Sequence, residues 1–185
     1  MIDRRTMLAT LAATAAAPAI AAGTTAYDFT FVDIDGASLP LSRFAGHPLM
    51  VVNTASRCGF TYQYDGLQTL YDRYRNRGLV VLAVPSDDFG GQELDSEAAV
   101  KDFCAVNFNL DFPMTSSTKV RGSGAHPFYR WANDNLGPDT APRWNFHKYL
   151  VGPDGRLVTS FSTNTEPAAP EVTDAIEALL AGNGT

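Results

Sequence analysis

Two apolar runs bracket a helical pattern, and that arrangement limits the folds open to this chain. The first, Leu49-Met50-Val51-Val52, continues through Asn53-Thr54-Ala55-Ser56 and predicts a strand over residues 48–55. The second, Leu79 to Val84, is unbroken, as expected of a central strand covered on both faces. Between them Tyr64, Leu67, Leu70, Tyr71 and Tyr74 recur at spacings of three and four. That period predicts a helix over 62–77, ended by Gly78 at the position after its C-cap. The chain has 185 residues, 45% of them hydrophobic, enough for one domain with a sizeable core.

The remaining elements extend the same architecture. Phe29, Phe31 and Leu39 flank an Asp35-Gly36 turn and predict an N-terminal hairpin. Asp95 or Ser96 is placed to cap a helix carrying Val100, Phe103, Cys104 and Asn107 on one stripe, and Phe112-Pro113 closes that unit. Ala125-His126-Pro127 opens a further helix, with the proline in its first turn. Tyr149-Leu150-Val151 and Leu157-Val158-Phe161 flank Pro153-Asp154-Gly155, a hairpin signal. A closing helix is predicted over 173–181. Strands alternating with helices, then a hairpin, imply an α/β domain with a central mixed sheet flanked by helices.

Charge and the N-terminus set the class. The net charge is -6, which argues against nucleic acid as a partner, because phosphate binding needs a basic surface. Arg4-Arg5 precede an uncharged stretch from Thr6 to Ala17, and small residues follow at Ala19, Ala21 and Ala22. This pattern predicts an export signal over 1–22, of twin-arginine type, followed by a single domain over 23–185. The stretch is too short and weakly apolar to span a bilayer. An exported, periplasmic or extracytoplasmic protein meets an oxidising environment, so its two cysteines, Cys58 and Cys104, could form a disulfide there.

Cys58 is the residue with the clearest chemistry. It lies between the first strand and the first helix, beside Arg57. A thiol at such a junction is expected near the positive end of a helix dipole, which favours the reactive thiolate. Thr61 stands where a dithiol motif would place its second sulfur. Oxidation of a single thiol is therefore favoured over dithiol exchange. Neither His126 nor His147 shows metal-ligand spacing.

Three segments carry a family resemblance. Val52-Asn53-Thr54-Ala55-Ser56-Arg57-Cys58-Gly59 is similar to the nucleophile motif of the glutathione peroxidase family. Phe89-Gly90-Gly91-Gln92-Glu93 resembles its second motif, and Trp144-Asn145-Phe146-His147-Lys148 its third. They occur in family order, and the resemblance covers roughly residues 27–180. It implies a thioredoxin-like fold, a cysteine-form peroxidase and a catalytic tetrad of Cys58, Gln92, Trp144 and Asn145. The residue types suit that role. The two amides and the indole N–H are uncharged donors that can favour an ionised sulfur, orient a peroxide and stabilise developing negative charge. The family implies no metal, haem, flavin or nucleotide.

The chain departs from the family pattern in places. The resolving cysteine of thioredoxin-dependent relatives falls, counting back from Phe112-Pro113, at Ala105; Cys104 is one residue earlier. Cys104 is thus a candidate resolving thiol and equally a core thiol. Ser86-Asp87-Asp88-Phe89 replaces a segment that often carries two amides, and the two carboxylates are expected to hold the loop or face water. The segment before Trp144 is short, and no ring of basic residues is evident. By analogy this implies a monomer that uses a thioredoxin-like protein, or glutathione, as reductant. The expectation is reduction of hydrogen peroxide or organic hydroperoxides through a sulfenic acid on Cys58. Two rivals remain: a thiol–disulfide oxidoreductase, and a non-enzymatic module with a structural Cys58–Cys104 disulfide.

Overall fold

The computed structural model describes residues 24–182; the segment 1–22 read as an export signal lies outside them. A short hairpin, β1 (Thr30–Val32) and β2 (Ser38–Pro40), precedes the main sheet. The main sheet holds β3 (Leu49–Thr54), β4 (Val80–Pro85), β5 (Lys148–Val151) and β6 (Leu157–Phe161) in the order β4-β3-β5-β6. β3 and β4 run parallel, joined by α1 (Gln63–Tyr74), whereas β5 pairs antiparallel with both β3 and β6. The sheet is therefore mixed, as the element order predicts. The other helices are α2 (Glu97–Phe108), α3 (Pro127–Leu136) and α4 (Pro170–Gly182).

Alternation along β3 divides the core. Met50 and Val52 point to one face, where they pack with Tyr64, Leu67, Leu70 and Tyr74 of α1, Val100 and Cys104 of α2, and Val172, Ile176 and Leu180 of α4. Leu49 and Val51 point to the other, against the hairpin residues Phe31 and Leu39 and against Phe128, Tyr129 and Ala132 of α3. Every residue of β3 is buried, so its apolar continuity follows from cover on both sides.

The predicted caps are present, with shifts at the boundaries. Ser96 caps α2 by accepting from the Ala99 N–H, and Pro127 opens α3 after His126. Gly78 takes φ 104°, a left-handed conformation that glycine adopts without steric cost, after a 3-10 turn that extends α1. The closing helix begins at Pro170, three residues earlier than its apolar pattern suggests. Asn107 of the predicted α2 stripe is exposed, and its amide bonds the Phe103 carbonyl.

Candidate active site

Cys58 follows β3 by four residues and is only 4% exposed. It does not sit in the first turn of α1, which begins five residues later at Gln63. A series of turns connects them, in which Thr61 N–H donates to the Cys58 carbonyl and Tyr64 N–H to the Thr61 carbonyl. The donor that reaches the sulfur is local: Phe60 N–H lies 3.5 Å from Cys58 Sγ. The helix-dipole expectation is thus replaced by a single oriented amide.

Gln92 reaches the site by way of a glycine turn. Gly90 and Gly91 adopt φ 79° and 64°, conformations closed to most side chains, and reverse the chain directly before Gln92. The Arg57 N–H then donates to the Gln92 carbonyl at 2.8 Å, tying the two loops together next to Cys58. The Asn145 side-chain amide donates to Gln92 Oε1 at 3.1 Å, which leaves the donor end of Gln92 free. Trp144 packs against Phe89, with ring centroids 5.8 Å apart, and keeps 38% of its surface exposed. The structure therefore joins Asn145 directly to Gln92, sets Trp144 next to Asn145 in the chain with its ring on Phe89, and connects Cys58 to Gln92 through its neighbour Arg57.

The segment holding Trp144 and Asn145 is strained and firmly fixed. Phe146 adopts φ 64°, an unusual conformation for a bulky residue. Its N–H donates to the Asn53 carbonyl at 2.6 Å, and its carbonyl accepts from Lys148 Nζ at 2.8 Å. Asn53 also donates from its side chain to the Trp144 carbonyl at 3.1 Å, and the Thr163 hydroxyl donates to the Asn145 carbonyl at 2.7 Å. A cavity of about 470 Å³ opens beside Trp144, with Phe60, Arg143, His147 and Thr163 among its walls.

Glu93 is a buried carboxylate that sequence reasoning left without a role. Its Oε1 accepts from the Ser56 N–H at 3.0 Å and the Leu94 N–H at 2.8 Å. Burial raises its pKa, while these bonds act in the opposite direction. The two aspartates fall where expected. Asp88 accepts from the Val120 and Arg121 N–H groups, and Asp87 from the Glu93 N–H.

Cys104 is a core thiol in this conformation, 1% exposed, while Ala105 beside it faces solvent. Its sulfur lies beside the Tyr64 hydroxyl, and burial pushes the thiol up to about 12. Both cysteines are free thiols. His126 accepts from the Phe128 N–H at the start of α3, a helix-opening role as read from sequence. His147 directly precedes β5; burial, then the neighbouring Lys148 charge, lowers its pKa to about 4.

A thiol just beyond a thioredoxin-fold strand, linked through the Arg57–Gln92 backbone bond to a group of uncharged amide and indole donors, fits the class of thiol-dependent peroxidases. Comparison with known proteins gives the particular kind. The family model described as glutathione peroxidase matches residues 26–133. A glutathione peroxidase of Lactococcus lactis subsp. cremoris is 36% identical over 156 residues, covering 83% of this chain and 98% of that protein. The glutathione peroxidase-like peroxiredoxin gpx1 of Schizosaccharomyces pombe is 38% identical over 144 residues, covering 76% of this chain and 90% of the other. The crystal structure of T. cruzi GPX1 superposes with a TM-score of 0.68 at 33% identity, covering 85% of this chain and 97% of that one. This chain belongs to the glutathione peroxidase family, and it reduces hydroperoxides at the expense of a thiol reductant.

Proposed function

We propose that Cys58 is the peroxidatic thiol, that Gln92, Trp144 and Asn145 serve it as donors, and that Cys104 resolves the oxidised centre. The observation that carries the reading is the Asn145–Gln92 side-chain bond, joined through the Arg57–Gln92 backbone bond to the cysteine loop. The thiolate attacks one peroxide oxygen, and the O–O bond breaks. Cys58 becomes a sulfenic acid, and the departing oxygen takes a proton and leaves as water or an alcohol. The Trp144 indole N–H and the Gln92 amide are suited to stabilise that oxygen as its charge develops.

Resolution needs the Cys104 thiol to reach Cys58. The two sulfurs then form a disulfide, and the sulfenic oxygen leaves as water with the thiol proton. Cys104 is inert while α2 is intact, because its thiol is protonated and covered. α2 is a poorly anchored helix: of its 12 residues only Val100 and Cys104 are buried. A helix this short gains little by itself, so its local unwinding is inexpensive. A thioredoxin-like protein then reduces the disulfide, with glutathione as the alternative thiol. The relative described as a peroxiredoxin supports this cycle. The protein acts as a monomer outside the cytoplasm, delivered by the signal over 1–22.

The test uses reduced protein mixed with one equivalent of hydrogen peroxide, alkylated, and peptide-mapped by mass. A Cys58–Cys104 disulfide within seconds supports the two-cysteine cycle. Oxidised Cys58 with free Cys104 would overturn the resolving role and leave an outside thiol to complete the reaction. An unmodified Cys58 would sink the assignment of the peroxidatic thiol.

A further inference from the structure

A lysine whose ammonium is bonded to neutral oxygens lies in the core near the Phe146 turn. Lys148 is fully buried on the sheet face that carries Val52, its partner across β3, and Leu150. Its ammonium donates to Gln63 Oε1 at 2.7 Å, to the Phe146 carbonyl at 2.8 Å and to the Thr165 carbonyl at 2.7 Å. All three acceptors are neutral, and an ammonium carries three N–H donors, so each donor has one oxygen. Among the described residues, no ion pair includes Lys148. A buried, unpaired charge is expensive, and a hydrophobic residue would cost less in a core. Its three bonds join the start of α1, the strained Phe146 turn and the loop before α4.

We infer that Lys148 is a positioning residue for peroxide reduction: its three N–H donors hold the Phe146 turn, and so Trp144 and Asn145, in register with the α1 segment that follows Cys58. The inference rests on the donor roles proposed above for Trp144 and Asn145. The arrangement requires the charged form. A neutral amine has only two N–H donors for three oxygens, so deprotonation releases one of the three tethers. The releasable tether matters most at Phe146, whose left-handed backbone is stable only while its surroundings constrain it.

The groups around Lys148 set when this happens. Glu166, exposed and bonded by the Tyr62 hydroxyl, raises the lysine pKa, but burial outweighs it and brings the ammonium down to about 8. His147 beside it stays neutral above about 4, and the Tyr64 phenol on α1 stays protonated well above its ordinary range. Neither of these two competes for the charge near pH 8.

The experiment is stopped-flow oxidation of the reduced full chain by hydrogen peroxide from pH 6.5 to 9.5, with thermal unfolding followed at each pH. The expected profile falls on its alkaline side, with a midpoint near pH 8 and a loss of about threefold between pH 8 and 9, as for one titrating group whose neutral form keeps about a tenth of the rate. The melting temperature should not fall with the rate over that range. A folded pKa below the unfolded one means that Lys148's own contribution to stability grows as pH rises from about 8 toward 10.5. In Lys148→Met the alkaline fall should vanish and the rate should be about tenfold lower throughout. If that variant does not fold, Gln63→Glu gives the test: a carboxylate against the ammonium should move the fall upward by about one pH unit or more. A native rate that rises to a plateau, or a fall that neither variant shifts, overturns the inference. Asn145→Ala separates the two readings. If it leaves the rate unchanged, the proposed donor roles fail; if it slows the reaction while the alkaline fall persists in Lys148→Met, only the role of Lys148 fails.

Discussion

Trp144 and Asn145 are adjacent, yet one keeps 38% of its surface and the other none, and in the proposed function this contrast gives them different tasks. The buried Asn145 amide orients Gln92, whereas the half-open indole can meet a substrate arriving from solvent. Trp144→Phe keeps the ring that packs on Phe89 and removes the N–H. Peroxide reduction should slow about tenfold or more, measured by stopped-flow, and an unchanged rate would remove the indole from the rate-limiting step. Cys58→Ser should abolish turnover with the circular dichroism spectrum intact; residual wild-type activity would contradict the assignment. Glu93 acts differently, through backbone. Glu93→Ala leaves the buried Ser56 N–H and the Leu94 N–H without their acceptor, so unfolding in urea should show a loss of about 2 kcal/mol or more. Glu93→Gln keeps an accepting oxygen and should lose much less.

Among the elements, α2 contrasts with α1. α1 buries Gln63, Tyr64, Leu67, Leu70 and Tyr74 against the sheet, while α2 commits only Val100 and Cys104 and leaves Val106 83% exposed. Helix stability in proteins comes mainly from such burial, so α2 is the helix most easily opened. Its start rests on Ser96, whose hydroxyl accepts from the Ala99 N–H at 3.3 Å. Ser96→Ala should weaken the helix by about 1 kcal/mol. If unwinding precedes resolution, disulfide formation should then speed up severalfold while the sulfenic acid forms at its usual rate. Rapid-quench alkylation separates the two steps. An unchanged disulfide rate would show that the N-terminal turn of α2 does not open before Cys104 reacts.

At the scale of the whole molecule, buried titratable groups make stability depend on pH. His147 is 5% exposed, and its folded pKa of about 4 lies below the ordinary value of 6.5. A depressed folded value means its contribution is fully present above pH 6.5 and is lost as pH falls through about 4. The loss amounts to about 3 kcal/mol at that limit. His147→Phe should flatten the acid limb of a denaturation-midpoint profile, and an unchanged limb would point to the carboxylates instead. Export is tested on the full chain: exchange of Arg4 and Arg5 for lysines should keep the protein in the cytoplasm, and undiminished delivery would argue against the twin-arginine route.

Much of this could be read in one dimension because it depends on neighbours in sequence. The period of α1, the apolar continuity of β3 and β4, the Ser96 and Pro127 helix starts, the Gly78 stop and the final hairpin are local patterns, and the structure follows them. The grouping of Gln92 with Trp144 and Asn145 was legible only through the family resemblance, since 52 residues or more separate them in sequence. Asn53 and Lys148 had a weak signal, a polar residue within an otherwise apolar strand, but strand periodicity cannot say whether such a group is paired. Glu93 stood inside a recognised motif without a stated task. By itself the sequence determined the elements, their order and the absence of a second sulfur at Thr61. Only the tertiary structure decided that α1 starts five residues beyond Cys58, that Cys104 lies covered within the core, and that a buried lysine pins the strained Phe146 turn. Helices and strands arise from short-range periodicity, whereas burial and hydrogen-bond partners depend on which distant segments the packed sheet brings together.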